Sequence, residues 1–165
     1  MPILDPQSTE FISRSPEQTR RVGMRLGTYL QQGDLVCLAG DLGSGKTTFV
    51  QGIASGWGSL DAVTSPSFVL VNVYRSATGQ VLYHLDAYRL SGPAEAIDLD
   101  VDEMIAEGPL VIEWADRIQA ALPPDCLWVK MRLIDDDQRD LVFSAAGKRY
   151  QEILARIRRQ IFGVR

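Results

Sequence analysis

The first third of the chain has the spacing of apolar residues expected of alternating strands and helices. Residues 10–14 alternate between polar and apolar positions and predict a short strand. The triplet Ser-Pro-Glu at 15–17 indicates a helix start, because serine caps helices, proline fits the first turn and an acid suits the positive end of the helix dipole. We expect this helix to reach about residue 30, before the Gly-Asp pair at 33–34. The apolar run 35–39 then predicts a strand buried on both faces.

The rest of the chain continues this pattern and adds two hairpins. A glycine-rich loop at 40–45 separates the buried strand from a helix expected over 46–53, and the turn-forming and hydroxyl residues of 56–67 predict a loop. Further along we expect, in order, strands at 68–74 and 81–85, one or two short acidic helices over 93–106, a strand at 109–114, a short helix to 122, strands at 127–133 and 140–144, and an amphipathic helix from 148 onward. These elements predict a mixed sheet with helices on its faces.

The glycine-rich loop matches a phosphate-binding motif in full. Residues 40–47 fit G-x-x-x-x-G-K-[ST], in which glycines let successive backbone N–H groups point at phosphate oxygens. Lys46 would then reach the β- and γ-phosphates, and the Thr47 hydroxyl would reach a magnesium ion. The alternative is a glycine-rich turn with an exposed lysine, which the preceding strand and following helix disfavour. The fold class expected is therefore α/β, a P-loop NTPase-like three-layer fold with a central mixed sheet and helices on both faces. The predicted nucleotide contacts are Gly40, Asp41, Leu42, Gly43, Ser44, Gly45, Lys46, Thr47 and Thr48.

A triphosphate site of this kind also needs a carboxylate on a neighbouring strand for the metal or its waters. Glu113 and Asp86 each follow an apolar strand, and ligands bind at the carboxyl ends of such strands. With Thr47 they form the predicted metal site, and with Lys46 the predicted catalytic set. The alternative for either acid is an ordinary solvated residue at a strand end. Which acid binds the metal and which orients water stays open.

Composition restricts the remaining possibilities. A chain of 165 residues with 45% apolar residues suits a single domain over 1–165 with its own core. The net charge of -4 argues against a dedicated nucleic-acid binder. Cys37 and Cys126 lie in apolar runs and suit a reducing compartment. The polar start of the chain does not resemble a signal peptide, and there is no membrane-length apolar run, so we expect a cytoplasmic protein.

Three other features have two interpretations each. The chain's single histidine, His84, lies in a predicted strand, and a hydrogen-bonded strand residue is favoured over a catalytic one. The hydroxyl-rich segment 64–67 is either a plain loop or a nucleotide-sensitive switch. A basic cluster near the C-terminus is either a solvated helix face, which we favour, or a surface for RNA or an acidic partner. Its members are Lys148, Arg149, Arg156, Arg158, Arg159 and Arg165.

Four sequence blocks resemble a known family. GDLGSGKTTF, TSPSFVLVNVY, YHLDAYRL and LVIEWADR occur in this order, and the resemblance spans about residues 10–135. Together they are similar to the bacterial TsaE (YjeE) family, the ATPase subunits of tRNA threonylcarbamoyladenosine biosynthesis. The P-loop alone is generic, whereas the His-x-Asp-x-Tyr-Arg and Ile-Glu-Trp blocks are specific. The segment 65–67 departs slightly, since Ser67 stands where the family usually has threonine.

The resemblance implies a function in tRNA modification. Family members work with TsaB and TsaD, and their ATP hydrolysis supports modification of the adenosine beside the anticodon in tRNAs reading ANN codons. TsaD transfers the threonylcarbamoyl group, so the tRNA is reached only through the complex. By motif, Lys46 and Thr47 match the phosphate and magnesium residues, and Glu113 and Asp86 the two important carboxylates. Trp114 matches a residue associated with function and is added to the nucleotide contacts, although a core tryptophan at a strand end is the alternative.

The expected reaction is attack of water on the γ-phosphate of ATP, with Mg²⁺ as cofactor. Arg89 is a candidate arginine finger in cis, and we expect slow turnover without partners. The rivals are a small-molecule kinase and a non-hydrolysing regulatory module. The acidic segment 91–108 argues against the arginine-rich lid of a kinase, and absence of an N-K-x-D motif favours ATP over GTP. Adenine contacts are expected around 11–15 or 132–137.

Overall fold

The computed structural model describes residues 7–41, 43–64 and 70–162, with the backbone alone at 162. The strands of the described residues are β1 Ser8–Ser13, β2 Leu35–Gly40, β3 Val71–Arg75, β4 Val81–Asp86, β5 Leu110–Glu113, β6 Cys126–Leu133 and β7 Arg139–Ala146. The helices are α1 Pro16–Gly27, α2 Lys46–Trp57, α3 Pro93–Asp98, α4 Val101–Glu107 and α5 Lys148–Phe162, and a 3₁₀ segment covers Ala115–Ala121. None of these helices combines the length and the apolar character that crossing a membrane requires.

The strands form one mixed sheet in the order β1-β7-β6-β2-β5-β4-β3. The central strand β2 is parallel to β5 and β6, and β4 is parallel to β5. The two predicted hairpins, β3–β4 and β6–β7, supply antiparallel pairs, and β1 closes one edge against β7. The prediction of a mixed sheet is therefore confirmed.

Helices cover both faces of this sheet. Along β2, Val36 and Leu38 join the core formed with α1, α2 and α5. The alternate residues Leu35 and Cys37 join a second core formed with α3, α4 and the 3₁₀ segment. A strand whose successive side chains enter two different cores must be apolar throughout, which explains its uninterrupted run. The expected three-layer arrangement is confirmed.

Several helix ends differ from the predicted ones. The Ser15 hydroxyl caps α1 as expected, accepting from Gln18 N at 3.1 Å, but α1 ends at Gly27 because the chain turns into 3₁₀-type bonds there. Helix α2 was expected to end near residue 53 and instead continues to Trp57. Gly56 does not break it, because the glycine packs against another helix, and the left-handed Gly58 ends α2.

Glycines bring α1 and α2 into backbone contact. A Cβ at Gly27 would lie 2.1 Å from the Ile53 carbonyl oxygen, and one at Gly52 would lie 2.0 Å from that of Arg20. Gly23 and Gly56 make matching approaches from the two helices. Since any side chain here would hold the axes apart, this crossing determines how α2 lies under the sheet, and α2 begins at the phosphate-loop lysine.

Replacing Gly27 with alanine tests this crossing. The methyl group would overlap the Ile53 carbonyl and separate the helices, so we expect the free energy of unfolding to fall by about 1–3 kcal/mol despite alanine's better helix propensity. Urea denaturation measures the change. The matched control is Gly92→Ala, where φ is 170° and no atom lies within 4 Å of the new Cβ. Equal stability of the two variants would contradict this account.

Candidate functional site

The phosphate-binding loop leaves the carboxyl end of β2 and enters α2. Gly40, Gly43 and Gly45 have φ values of +146°, +80° and +96°, which side chains other than glycine rarely adopt. At Gly40 a Cβ would also lie 2.2 Å from the Met131 carbonyl oxygen, so β6 presses directly on the loop. Leu42, one of the predicted contacts, lies outside the described residues. The remainder of the predicted loop has the strand–turn–helix setting that the motif requires.

The Lys46 ammonium group is folded back onto its own loop. Its Nζ donates to the carbonyl oxygens of Gly40 and Asp41 at 2.6 and 2.9 Å, and to the Ser44 hydroxyl at 3.3 Å. Burial lowers the pKa of Lys46, while the negative charge of Glu113 acts in the opposite direction. The cation is thus held close to the site by neutral acceptors, which an incoming phosphate would replace with stronger ones.

The two predicted carboxylates lie at the same level of the sheet. Asp86 and Glu113 end β4 and β5 and are direct neighbours in the parallel register, so both side chains leave the same face. On that face the Thr47 hydroxyl, in the first turn of α2, donates to Glu113 Oε1 at 3.3 Å. Burial raises the pKa of Asp86, and the charge of Glu113 raises it further. The structure therefore brings Lys46, Thr47, Asp86 and Glu113 into one cluster.

His84 belongs to this cluster, which the sequence analysis missed. The expectation of a hydrogen-bonded strand histidine is confirmed, but its Nε2 lies 2.5 Å from Glu113 Oε2. Its Nδ1 lies 2.8 Å from the hydroxyl oxygen of Tyr74 on β3. Period-2 alternation already places His84 on the same face as Asp86, so the signal was present. The sequence did not indicate that β5, which carries Glu113, lies beside β4.

Trp114 follows Glu113 with a φ of 59°, an unusual left-handed conformation for a large side chain. The turn aims its ring at the loop, where the Lys46 ammonium lies 4.0 Å from the ring centroid. The rings of Trp114 and Tyr88 have centroids 5.0 Å apart, and the Arg117 guanidinium lies 5.0 Å from the Tyr88 ring centroid. Neither Tyr88 nor Arg117 was predicted. The ring also packs against the core formed with α3, α4 and the 3₁₀ segment, so Trp114 contacts both that core and the loop lysine.

The donor atoms at the strand ends suit a hard cation. Thr47 and Glu113 present adjacent oxygens, and Asp86 adds a carboxylate in the neighbouring register position. Within the described ranges, no group of three or more acidic, histidine or cysteine side chains forms a metal site by itself. Magnesium fits that situation, because it is usually bound by one or two carboxylates together with phosphate oxygens and water. These three residues are the ones that would hold it.

Two depressions flank the loop. One is an open groove of about 450 Å³ whose lining includes Asp41, Trp114, Trp128 and Lys130. The other is small, and its lining consists of Pro16, Thr19, Gly45, Thr48, Asp137 and Arg139. The second depression includes part of the 132–137 turn, one of the two segments expected to contact adenine. The predicted contact Thr48 lies there too.

Comparison with known proteins identifies the family. A family model described as threonylcarbamoyl adenosine biosynthesis protein TsaE matches residues 13–141. The chain belongs to the TsaE family. It is 36% identical to a Bacillus subtilis protein named tRNA threonylcarbamoyladenosine biosynthesis protein TsaE, over 88% of this chain and 90% of the relative. A Streptomyces coelicolor protein of the same name is 39% identical over 79% and 93%.

A solved structure of the same fold supports this assignment. The crystal structure of YdiB from Bacillus subtilis superposes with a TM-score of 0.77 at 32% sequence identity. The superposition covers 93% of this chain and 95% of YdiB. The likeness therefore extends well beyond the phosphate loop, and the P-loop NTPase-like fold expected from the sequence is confirmed.

Three of the five basic residues described in α5 of this TsaE-family chain have partners within the chain, whereas Lys148 and Arg159 are exposed. Arg149 donates to Asp34 Oδ2 at 2.9 Å, Arg158 donates to the Ser8 carbonyl at 2.8 Å, and Arg156 lies 5.8 Å from the Tyr29 ring centroid. These contacts fasten α5 to its neighbours, which agrees with a helix face rather than an RNA surface. Arg165 and the expected switch residues Ser65–Ser67 lie outside the described residues, and Thr64 and Arg89 are exposed.

Asp86→Asn should stabilise the nucleotide-free protein while damaging the site. Because the folded-state pKa of Asp86 is raised, its charged form costs stability above that pKa, and the cost disappears on protonation. We expect a rise in melting temperature of about 1–4 °C at neutral pH, shrinking towards about pH 4. Thermal melts across pH measure it, with the exposed Asp98→Asn as control. A lower melting temperature at neutral pH would contradict the burial argument.

Proposed function

We propose that this chain is a magnesium-dependent ATPase subunit that supports threonylcarbamoyladenosine modification of tRNA. The observation that carries the proposal is the meeting of the Thr47 hydroxyl and the Glu113 carboxylate at the start of α2, beside Lys46. A hydroxyl and a carboxylate so placed are what a P-loop site uses around a metal–triphosphate. The family membership supplies the biological setting, since the relatives are named as threonylcarbamoyladenosine biosynthesis proteins.

Each residue has a role in this proposal. The loop N–H groups and Lys46 would bind the β- and γ-phosphates, and Lys46 would stabilise charge as the bond to the γ-phosphate breaks. Thr47 and Glu113 would hold the metal, whose chemistry is to neutralise phosphate charge. Asp86, in register beside Glu113, would position the attacking water or share the metal. Trp114 would cover Lys46 on the side facing solvent.

The choice of ATP rests on the surroundings of the loop. The depression beside Thr48 and Arg139 has a volume of only about 20 Å³, so it cannot enclose a purine base. The sequence contains no N-K-x-D guanine motif, which favours ATP. We place the adenine on the open surface beside the 132–137 turn; the other expected segment, 11–15, does not line the depression.

The partners proposed are TsaB and TsaD, with tRNA reached only through that complex. Arg149 and Arg158 of α5 have partners within the chain, which agrees with a subunit that does not bind RNA strongly by itself. We place the protein in the cytoplasm, where tRNA is modified, and expect no membrane association. The described strands all belong to one sheet, which supports a single ATPase domain over 1–165.

Lys46→Ala should abolish the activity without unfolding the protein. Among the described residues, the ammonium group is hydrogen-bonded to its own loop and lies beside the Trp114 ring, so its loss removes phosphate binding and leaves the hydrophobic cores in place. We expect ATP turnover to fall by about 100-fold or more, measured as released phosphate, with an unchanged melting temperature. The control is Lys148→Ala, an exposed lysine at the start of α5. Retained turnover would reject the assignment, and a phosphorylated metabolite in place of free phosphate would favour a small-molecule kinase.

The partner requirement gives a second test. Lys46 donates to carbonyl oxygens of its own loop, and we expect the TsaB–TsaD pair to favour the arrangement in which it engages phosphate. Turnover with the pair present should exceed that of the isolated chain by about 10-fold or more. Equal rates would contradict partner dependence. Full support of tRNA modification by a non-hydrolysable ATP analogue would instead favour a regulatory module without turnover.

A further inference from the structure

A chain of buried hydrogen bonds runs from the edge strand β3 to the helix of the phosphate loop. Tyr74 OH and His84 Nδ1 are 2.8 Å apart, His84 Nε2 and Glu113 Oε2 are 2.5 Å apart, and Glu113 Oε1 and Thr47 Oγ1 are 3.3 Å apart. The exposed fractions of Tyr74, His84 and Glu113 are 3%, 0% and 4%. Buried polar groups of this kind are costly unless each has a partner, and here each one does.

The contacts specify which histidine nitrogen carries the proton. The Glu113 carboxylate only accepts hydrogen bonds, so His84 Nε2 must be the donor in that contact. Nδ1 then accepts from the Tyr74 hydroxyl. Burial raises the pKa of Tyr74, which keeps its proton available, and a hydrogen bond with Asn72 opposes this only in part. In a neutral ring the Glu113 carboxylate therefore determines the tautomer, and the Tyr74 hydroxyl supports it by donating to the bare Nδ1.

We propose that His84 and Tyr74 are positioning residues that orient the Glu113 carboxylate towards Thr47 and the magnesium of a bound nucleotide. The Nε2–H of His84 occupies Oε2, which leaves Oε1 facing the Thr47 hydroxyl. Tyr74 acts one step further away, because its hydrogen bond to Nδ1 holds the ring in the orientation that points Nε2–H at Glu113. This rests on the proposed function, because it assumes that Glu113 serves a metal–nucleotide.

The residues around His84 indicate that it orients the Glu113 carboxylate and does not merely fill space in the core. The neighbours of His84 along the same face include Leu82 and Val111, fully buried aliphatic side chains that could pack against another aliphatic one. A histidine in such a core needs two hydrogen-bond partners, and one of them is the site carboxylate. Hydrogen bonds to the outer atoms of metal-binding side chains commonly affect metal affinity by about 10- to 100-fold.

The single histidine makes a direct test possible, since nitrogen-15 labelling of histidine gives signals from His84 alone. We expect the wild-type spectrum to show a protonated Nε2 and a bare, hydrogen-bonded Nδ1. In Tyr74→Phe the Nδ1 signal should shift to that of a nitrogen without a donor. The control is Tyr83→Phe, which removes a tyrosine–carboxylate hydrogen bond to Glu107 on the opposite face of β4. A wild-type ring protonated on Nδ1, or an unchanged Nδ1 in Tyr74→Phe, would overturn the assignment.

The second measurement separates positioning from packing. Binding of a non-hydrolysable ATP analogue is titrated with Mg²⁺ and with EDTA, and the ratio of the two dissociation constants isolates the metal contribution. We expect Tyr74→Phe and His84→Leu to reduce that ratio by about 10-fold while the EDTA value stays constant, and His84→Gln, which keeps a donor, to recover part of it. An equal loss with and without Mg²⁺, or no loss, would overturn the proposal.

The two measurements also separate this proposal from the proposed function. Wild-type protein that gains nothing from Mg²⁺ would contradict the magnesium-dependent ATPase, and with it the role of positioning a metal-binding acid. The nitrogen spectra would still decide whether Nε2 of His84 carries the proton and whether Tyr74 donates to Nδ1. If Tyr74→Phe and His84→Leu both keep the wild-type increase in affinity on adding Mg²⁺, the proposed ATPase function would still hold. Only the positioning role of Tyr74 and His84 would be rejected.

Discussion

The carboxyl ends of parallel strands lie at one edge of a sheet, and in this protein β4, β5 and β2 place theirs side by side. Asp86 on β4 pairs with Glu113 on β5, which pairs with Leu38 on β2, two residues before the phosphate loop begins. Both acids therefore lie beside the first turn of α2 without needing a long loop to carry them there. A slip of one residue between β4 and β5 would turn Asp86 or Glu113 to the opposite face and dismantle the cluster.

The other half of the site depends on how closely α2 can approach. Glycines in α1 and α2 remove the side chains that would separate these helices, and Gly40 removes one that would collide with β6. The result is a loop confined between a strand and a helix that are both fixed by backbone contact. Lys46 meanwhile uses its own loop carbonyls as temporary acceptors. A fixed loop backbone with a lysine that can exchange its hydrogen-bond acceptors would suit a site that binds and releases a charged ligand.

The residues differ in how far the sequence could predict them. The phosphate loop, Glu113 and Asp86 are readable because local signals, a glycine motif and an acid after an apolar strand, determine their positions. The contact between His84 and Glu113 could not be predicted from the sequence. It depends on β4 lying beside β5, a long-range pairing that period-2 alternation does not specify. For the same reason the sequence predicted a loop from Gly56 onward, although that glycine lies within α2 and packs against Met24 on another helix.

The electrostatics of the nucleotide-free site explain why such a hydrogen-bond chain is useful. Glu113 and Asp86 are neighbouring acids, and burial first and the charge of Glu113 second raise the pKa of Asp86. Thr47 and His84 hold the two oxygens of Glu113 in place, so the repulsion cannot be relieved by turning that carboxylate away. In the proposed site, a cation placed between the acids would relieve that repulsion. A fixed pair of acids would then bind a metal more tightly than a pair free to separate, because less reorganisation would oppose binding.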